Sequence, residues 1–190
     1  MSVTFKLDLP CFDPLGLVEQ AGNFEDARPQ LLEASRLFLD QQTDNILQFH
    51  RRGASGAEIT LALTQLFDHL NQQLFAAASW QVDESSTKYC SLLALGGYGR
   101  CEMNPRSDLD LMFYYTEGGR QAAEKISDRM LYLLWDLSLD VGSTVRSSSD
   151  CLEQAELDTT VRTAMLDARF LAGSSLPWDD FKSRVFNHVL

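Results

Sequence analysis

Histidine is scarce in this chain and cysteine nearly so: three histidines (His50, His69, His188) and four cysteines (Cys11, Cys90, Cys101, Cys151) are spread over 190 residues. No two cysteines have the C-x-x-C spacing of a zinc site, and no histidine pair completes one. Free thiols of this kind suit a reducing cytoplasm, and Cys90, inside an apolar run, reads as a small buried hydrophobe. Basic residues are also few. Sixteen Lys and Arg stand against 27 Asp and Glu, a net charge of -11. Nucleic-acid backbones are gripped by clustered Lys and Arg, so this balance argues against such a partner. It leaves open a nucleotide ligand, whose charge a divalent metal can neutralise. The opening MSVTFKLDLP lacks the basic and apolar regions of a signal peptide. No apolar run approaches the roughly 18 residues that a membrane helix requires. No membrane contact and a cytoplasmic location are therefore expected. No internal repeat or low-complexity tract is visible.

What is present is a sizeable apolar supply, 45% of residues, enough for one domain with a helical extension. Residues 1–26, with Pro10, Pro14, Gly16 and Gly22, read as an irregular lead-in. A helical hairpin is expected over 27–80. Its first helix runs from about Ala27 to His50 and ends at Arg51-Arg52-Gly53. Its second opens with the capping box Ser55-Gly56-Ala57-Glu58 and carries Ile59, Leu63, Leu66, Phe67, Leu70 and Leu74 on one stripe. A core follows over 81–175. The run KYCSLLAL (88–95) predicts a buried strand that stops at Gly96-Gly97, with a short helix beginning over 98–102. Asn104 to Ser107 reads as a turn and DLDLMFYY (108–115) as a second strand. A helix is expected over 120–138, a third strand over 139–147, and helical segments to about Ala172 with Gly173 as their stop. Residues 176–190 read as the start of a truncated helical extension. The fold class is α+β, with a small mixed sheet.

Chemistry concentrates between Gly96 and Asp110. Residues i and i+2 of a strand point to one face, so Asp108 and Asp110 project together, with Cα atoms about 7 Å apart. Paired carboxylates hold hard divalent cations through oxygen, and two ions about 3.5–4 Å apart suit an in-line displacement at phosphorus. Leu109, Leu111 and Phe113 are left to anchor the opposite face. A triphosphate must approach backbone N–H groups closely, and Gly96 and Gly97 remove the β-carbons that would obstruct it at a strand-to-helix turn. Ser107 can donate a hydroxyl to a phosphate oxygen, and Arg100, one turn further on, can reach a phosphate or stabilise the loop. Alone, a D-x-D is usually a solvated strand end and a G-G a simple turn. Their ordered combination is far more specific.

Residues Leu93 to Tyr115, LALGGYGRCEMNPRSDLDLMFYY, resemble the signature of the DNA polymerase β-type nucleotidyltransferase superfamily. More narrowly, they resemble the N-terminal domain of the PII uridylyltransferase/uridylyl-removing enzymes. RRGASGAEIT (51–60), LLWDLSLDVGSTVRSSSDCL (133–152) and DTTVRTAMLDARFLAG (158–173) extend the likeness over about residues 45–173. The resemblance implies a polymerase β-like sheet topology and transfer of UMP from UTP to a tyrosine of the PII nitrogen-regulatory protein, with Mg²⁺ or Mn²⁺. It implies metal-binding roles for Asp108 and Asp110, and nucleotide-binding roles for Gly96, Gly97 and Ser107.

Two departures accompany it. Many superfamily members carry a third carboxylate on the next strand, where this chain offers only Asp140, and no general base is identifiable. The family's long form adds a hydrolase domain and small-molecule-sensing domains, which 190 residues do not accommodate, so the chain looks like an N-terminal fragment or a natural short form. Asp68-His69 is the only adjacent Asp-His pair, and adjacent helix residues point about 100° apart, so no uridylyl removal is expected. The alternatives are a related protein adenylyltransferase, a CBS-linked signalling nucleotidyltransferase, or a non-catalytic fragment that binds nucleotide or PII. The Asp-x-Arg-x-Arg-Pro strand of the adenylyltransferases is replaced here by Gly142-Ser-Thr-Val-Arg146-Ser.

Overall fold

The computed structural model describes residues 12–189. Cys11, the first part of the expected lead-in and Leu190 lie outside the described residues. Within the lead-in the structure corrects the expectation of irregular chain: α1 spans Pro14–Ala21. Its signals are an N-cap at Asp13, whose carboxylate accepts the Gly16 amide, a proline at the first helical position, and Gly22 in the left-handed conformation just past the end. Helix α2 (Phe24–Arg51) starts three residues earlier than the apolar periodicity suggests, because Asn23 caps it through the Asp26 amide. Helix α3 (Gly56–Ser79) begins at the Ser55/Glu58 capping box, with both reciprocal hydrogen bonds formed. A single turn, α4 (Glu84–Thr87), leads into the sheet.

The sheet is mixed, in the order β3-β2-β1-β4. Strand β1 (Cys90–Ala94) pairs antiparallel with β2 (Leu109–Tyr115), which pairs parallel with β3 (Val141–Arg146). One-turn helix α5 (Gly96–Gly99) joins β1 towards β2, and α6 (Arg120–Asp136) makes the crossover that a parallel pair requires. After α7 (Ser148–Leu157) and α8 (Thr159–Leu166) the expectation of helix up to residue 172 is overturned: Arg169–Gly173 is a strand, β4. It covers the second edge of β1, which is buried along its whole length and would otherwise hold unpaired amides and carbonyls. Gly173, at φ +94°, ends that strand rather than a helix and packs against the Cys90 carbonyl. Helix α9 (Ser175–Phe181), a π-helical stretch (Lys182–Phe186) and α10 (Asn187–Val189) close the described chain.

Alternation divides the sheet's side chains between two layers. Leu109, Leu111 and Phe113 of β2 join Leu92 and Ala94 of β1 in a core shared with Leu31 and Phe38 of α2, Leu66 and Leu70 of α3 and Leu134 of α6. The hairpin and the sheet thus share one continuous apolar core. The opposite face carries Leu93, Met112 and Tyr114, covered by Cys151, Met165, Phe181 and Val185. Each fully buried Leu or Phe contributes about 1.5–3 kcal/mol, so both layers are needed to hold β2 in the centre. Among the described residues no helix is long and apolar enough to cross a membrane.

Candidate active site

Because β1 and β2 run antiparallel, the end of one lies beside the start of the other. The Leu95 amide donates to the Asp110 carbonyl at 2.9 Å. From Leu95 the chain turns into α5, whose first residue, Gly96, has φ +53°, in the left-handed region that favours glycine. A β-carbon on Gly96 would stand 3.2 Å from Asp110 Oδ2. On the other side, Gly142 is the register partner of Asp110 in β3, and a β-carbon there would stand 2.7 Å from Oδ1. The Asp110 carboxylate therefore occupies a slot walled by two glycines. Gly142 was not singled out as a site residue from sequence, although its position on the third strand was visible. The reason for a glycine there is the carboxylate across the rung.

Asp110 is half-buried and shares its strand face with Met112 and Tyr114, opposite the main core. Asp108 is exposed and immediately precedes β2, which begins one residue later than the expected strand. Burial holds the Asp110 carboxyl above its ordinary value, and the negative charge of Asp108 pushes in the same direction. A donor pair of this kind suits a hard divalent cation, which would reverse both effects. Asp140 is exposed just before β3, and its carbonyl accepts the Leu109 amide at 2.8 Å. Among the described residues no group of three or more His, Cys, Asp or Glu converges as a metal cage. The candidate cation-binding groups are Asp108 and Asp110, with Asp140 one position before the Leu109–Val141 rung, as Asp108 is on β2.

The raised Asp110 value fixes the sign of a stability effect. Below the ordinary carboxylate value the group is protonated in both folded and unfolded chain. As pH rises through the higher folded value, the folded state is forced to ionise in its slot and stability is lost. At pH 7 without metal the penalty is complete. Asp110→Asn is therefore expected to raise the melting temperature at pH 7 in chelator, with the gain vanishing as the pH falls below the ordinary aspartate range. Differential scanning fluorimetry across pH checks it, and a lower melting temperature at pH 7 would refute it.

The other expected residues take varied positions. Gly97 has open space around it: the nearest atom to a β-carbon there would be Arg100 Nη2 at 3.9 Å. Arg100 is exposed and already paired, through Nε to Glu102 at 2.8 Å and through Nη1 to Asp167 at 2.5 Å. Ser107 Oγ accepts the Asn104 amide at 3.1 Å, holding the 104–107 turn while leaving its own O–H free to donate. Residues missed from sequence lie beneath the turn. Gly99 packs directly on the Asp167 carbonyl, where a β-carbon would overlap it. Arg169 donates to the carbonyls of Tyr98 and Gly99 and forms a bidentate pair with Asp68. Asp68 and its neighbour His69 do face different ways. The imidazole lies against Phe12 and Phe38, and burial lowers its pKa.

Comparison with known proteins joins this geometry to a family. The chain is 35% identical over 183 residues to a bifunctional uridylyltransferase/uridylyl-removing enzyme of Erythrobacter litoralis, covering 92% of this chain and 19% of that protein. It is 34% identical over 158 residues to the enzyme of the same name from Rhodospirillum rubrum, covering 83% and 16%. With that of Caulobacter vibrioides it shares 31% over 190 residues, covering 97% and 20%. The chain thus spans a fifth or less of the length of these relatives. Residues 40–138 match a family profile that takes in most of the hairpin, the glycine turn, the aspartate strand and the crossover helix, and through that match the chain belongs to the DUF294 nucleotidyltransferase family.

Proposed function

We propose that this chain transfers UMP from UTP to a tyrosine hydroxyl of the PII signal protein and releases pyrophosphate. The observation that carries the reading is the Asp110 carboxylate held between Gly96 and Gly142, with Asp108 beside it and the Gly96-Gly97 turn adjacent. The names of the relatives support uridylyl transfer in particular. In the reaction the tyrosine oxygen bonds to the α-phosphorus, the bond to the bridging oxygen breaks, and the hydroxyl proton is lost to solvent or a base. Asp108 and Asp110 would hold Mg²⁺ or Mn²⁺, which supplies charge neutralisation at the phosphates. The chain's own part is to orient. The backbone at Gly96 and Gly97 receives the triphosphate without β-carbons in the way, Ser107 donates its hydroxyl, and Arg100 Nη2 lies along the turn towards Gly97. Asp140, one position before the Leu109–Val141 rung, is the further candidate ligand for the divalent ion.

The test is incubation of the chain with labelled UTP, Mg²⁺ and PII. Label on PII supports transfer. A second reading, nucleotide or PII binding without transfer, has in its favour that no cluster of three or more His, Cys, Asp or Glu able to hold a metal is found among the described residues. Saturable UTP binding with no label on PII would select it. Gly97→Val gives a separate check on the turn. The fold has room at this position and its φ is not left-handed. The melting temperature is therefore expected to stay near that of the parent chain while the shift induced by Mg²⁺-UTP shrinks or disappears. An undiminished shift would make Gly97 a turn residue only.

A further inference from the structure

The glycine turn is not self-supporting. A single helical turn fixes several dihedral angles for very few hydrogen bonds. This one is entered through a left-handed Gly96 and left through a left-handed non-glycine residue, Cys101 at φ +61°, a conformation that persists only where surroundings over-determine it. Those surroundings come from two elements distant in sequence. From β4, Arg169 Nε donates to the Gly99 carbonyl and Nη2 to the Tyr98 carbonyl, each at 3.1 Å, with the guanidinium 5.5 Å from the centre of the Tyr98 ring. From α3, Asp68 grips the same guanidinium at 2.7 and 2.9 Å, and Asn71 Nδ2 donates to the Tyr98 hydroxyl at 3.1 Å. Tyr98 itself is 1% exposed.

We propose that Arg169, oriented by Asp68, is a positioning residue for the nucleotide: by fixing the carbonyl side of the Gly96–Gly99 turn it holds the backbone of Gly96 and Gly97 where the triphosphate is received. This rests on the reading that the turn takes the triphosphate. An ion pair serving only to join α3 to β4 would need just its two charged ends. Here the guanidinium spends two further donor contacts on the turn's carbonyls, and a planar five-donor fork is what allows one side chain to do both. Lysine keeps the charge but cannot.

The test uses the full chain with Arg169→Lys and, as a near-isosteric second variant, Asp68→Asn. Two quantities are read: amide hydrogen exchange without nucleotide, and the separate KM values for UTP and for PII. Exchange over residues 96–102 is expected to quicken about tenfold, with protection in α3 and the sheet retained, and the KM for UTP to rise about tenfold. The KM for PII should stay unchanged. Wild-type exchange over 96–102 in either folded variant overturns the proposal, as does an equal rise across α3 and the sheet. So does an unchanged KM for UTP in a variant that still transfers. A parent chain that neither binds nor turns over UTP overturns instead the functional reading on which the proposal stands.

Discussion

Replacing Asp108 or Asp110 by Asn is expected to lower uridylyl transfer by about 10²-fold or more while leaving the fold in place. The two halves of that expectation have different causes. Catalytic loss follows from removing anionic oxygen at the strand end where positive charge must gather to offset the phosphates. The fold is spared because Asp108 is exposed and Asp110 contributes only its backbone to the ladder, through the Leu95 amide and the rungs to β3. The measurement is the rate of label transfer to PII, beside a Mn²⁺ titration and a thermal melt of each variant. The double variant is the sharpest case. If it still transfers UMP, the metal assignment fails outright.

Gly142→Ala should be nearly as damaging, though it touches no substrate. Its backbone is not left-handed, so alanine is sterically permitted by the main chain itself. The added methyl would lie 2.7 Å from Asp110 Oδ1 and 3.9 Å from its carboxyl carbon, so what must yield is the far end of a side chain. Moving that carboxylate is cheap for stability and expensive for chemistry. A displacement on the order of 1 Å at a reacting centre can cost about 10²-fold. The expected result is a fall of roughly tenfold to a hundredfold in kcat with a melting temperature close to that of the parent. Ser143→Ala, one residue along and on the other strand face, should change neither. A kcat for Gly142→Ala within twofold of the parent would mean that the slot is looser than its geometry implies.

The local parts of this arrangement were legible in sequence because they follow from local chemistry. Gly96-Gly97, the D-x-D spacing and the Ser55/Glu58 capping box each declare themselves within a few residues, and the alternation of Leu109, Leu111 and Phe113 told which face of the strand was free. Strand β4 was not legible. ARFLAG reads as readily as the end of a helix, and what makes it a strand is the open edge of β1, about eighty residues earlier in the chain. The same applies to Arg169 and Asp68, which meet only because β4 and α3 both pack around the turn after β1. Helix α1, by contrast, had its signals on the surface of the sequence. Asp13-Pro14 at one end and Gly22 at the other are ordinary start and stop residues, although the same glycines and proline also fit irregular chain.

The place of β2 between β1 and β3 gives the two aspartates unequal fates when the molecule fluctuates. The Asp110 backbone sits inside the ladder, paired on both sides, and gives up its position only when the sheet itself opens. Asp108 stands beyond the last rung, where the strand is free to fray. Local breathing of the chain therefore moves the backbone of one aspartate against the fixed backbone of the other. The backbone spacing of the pair is thus adjustable from one side only, so a cation held between them would meet an anvil in Asp110 and a hammer in Asp108.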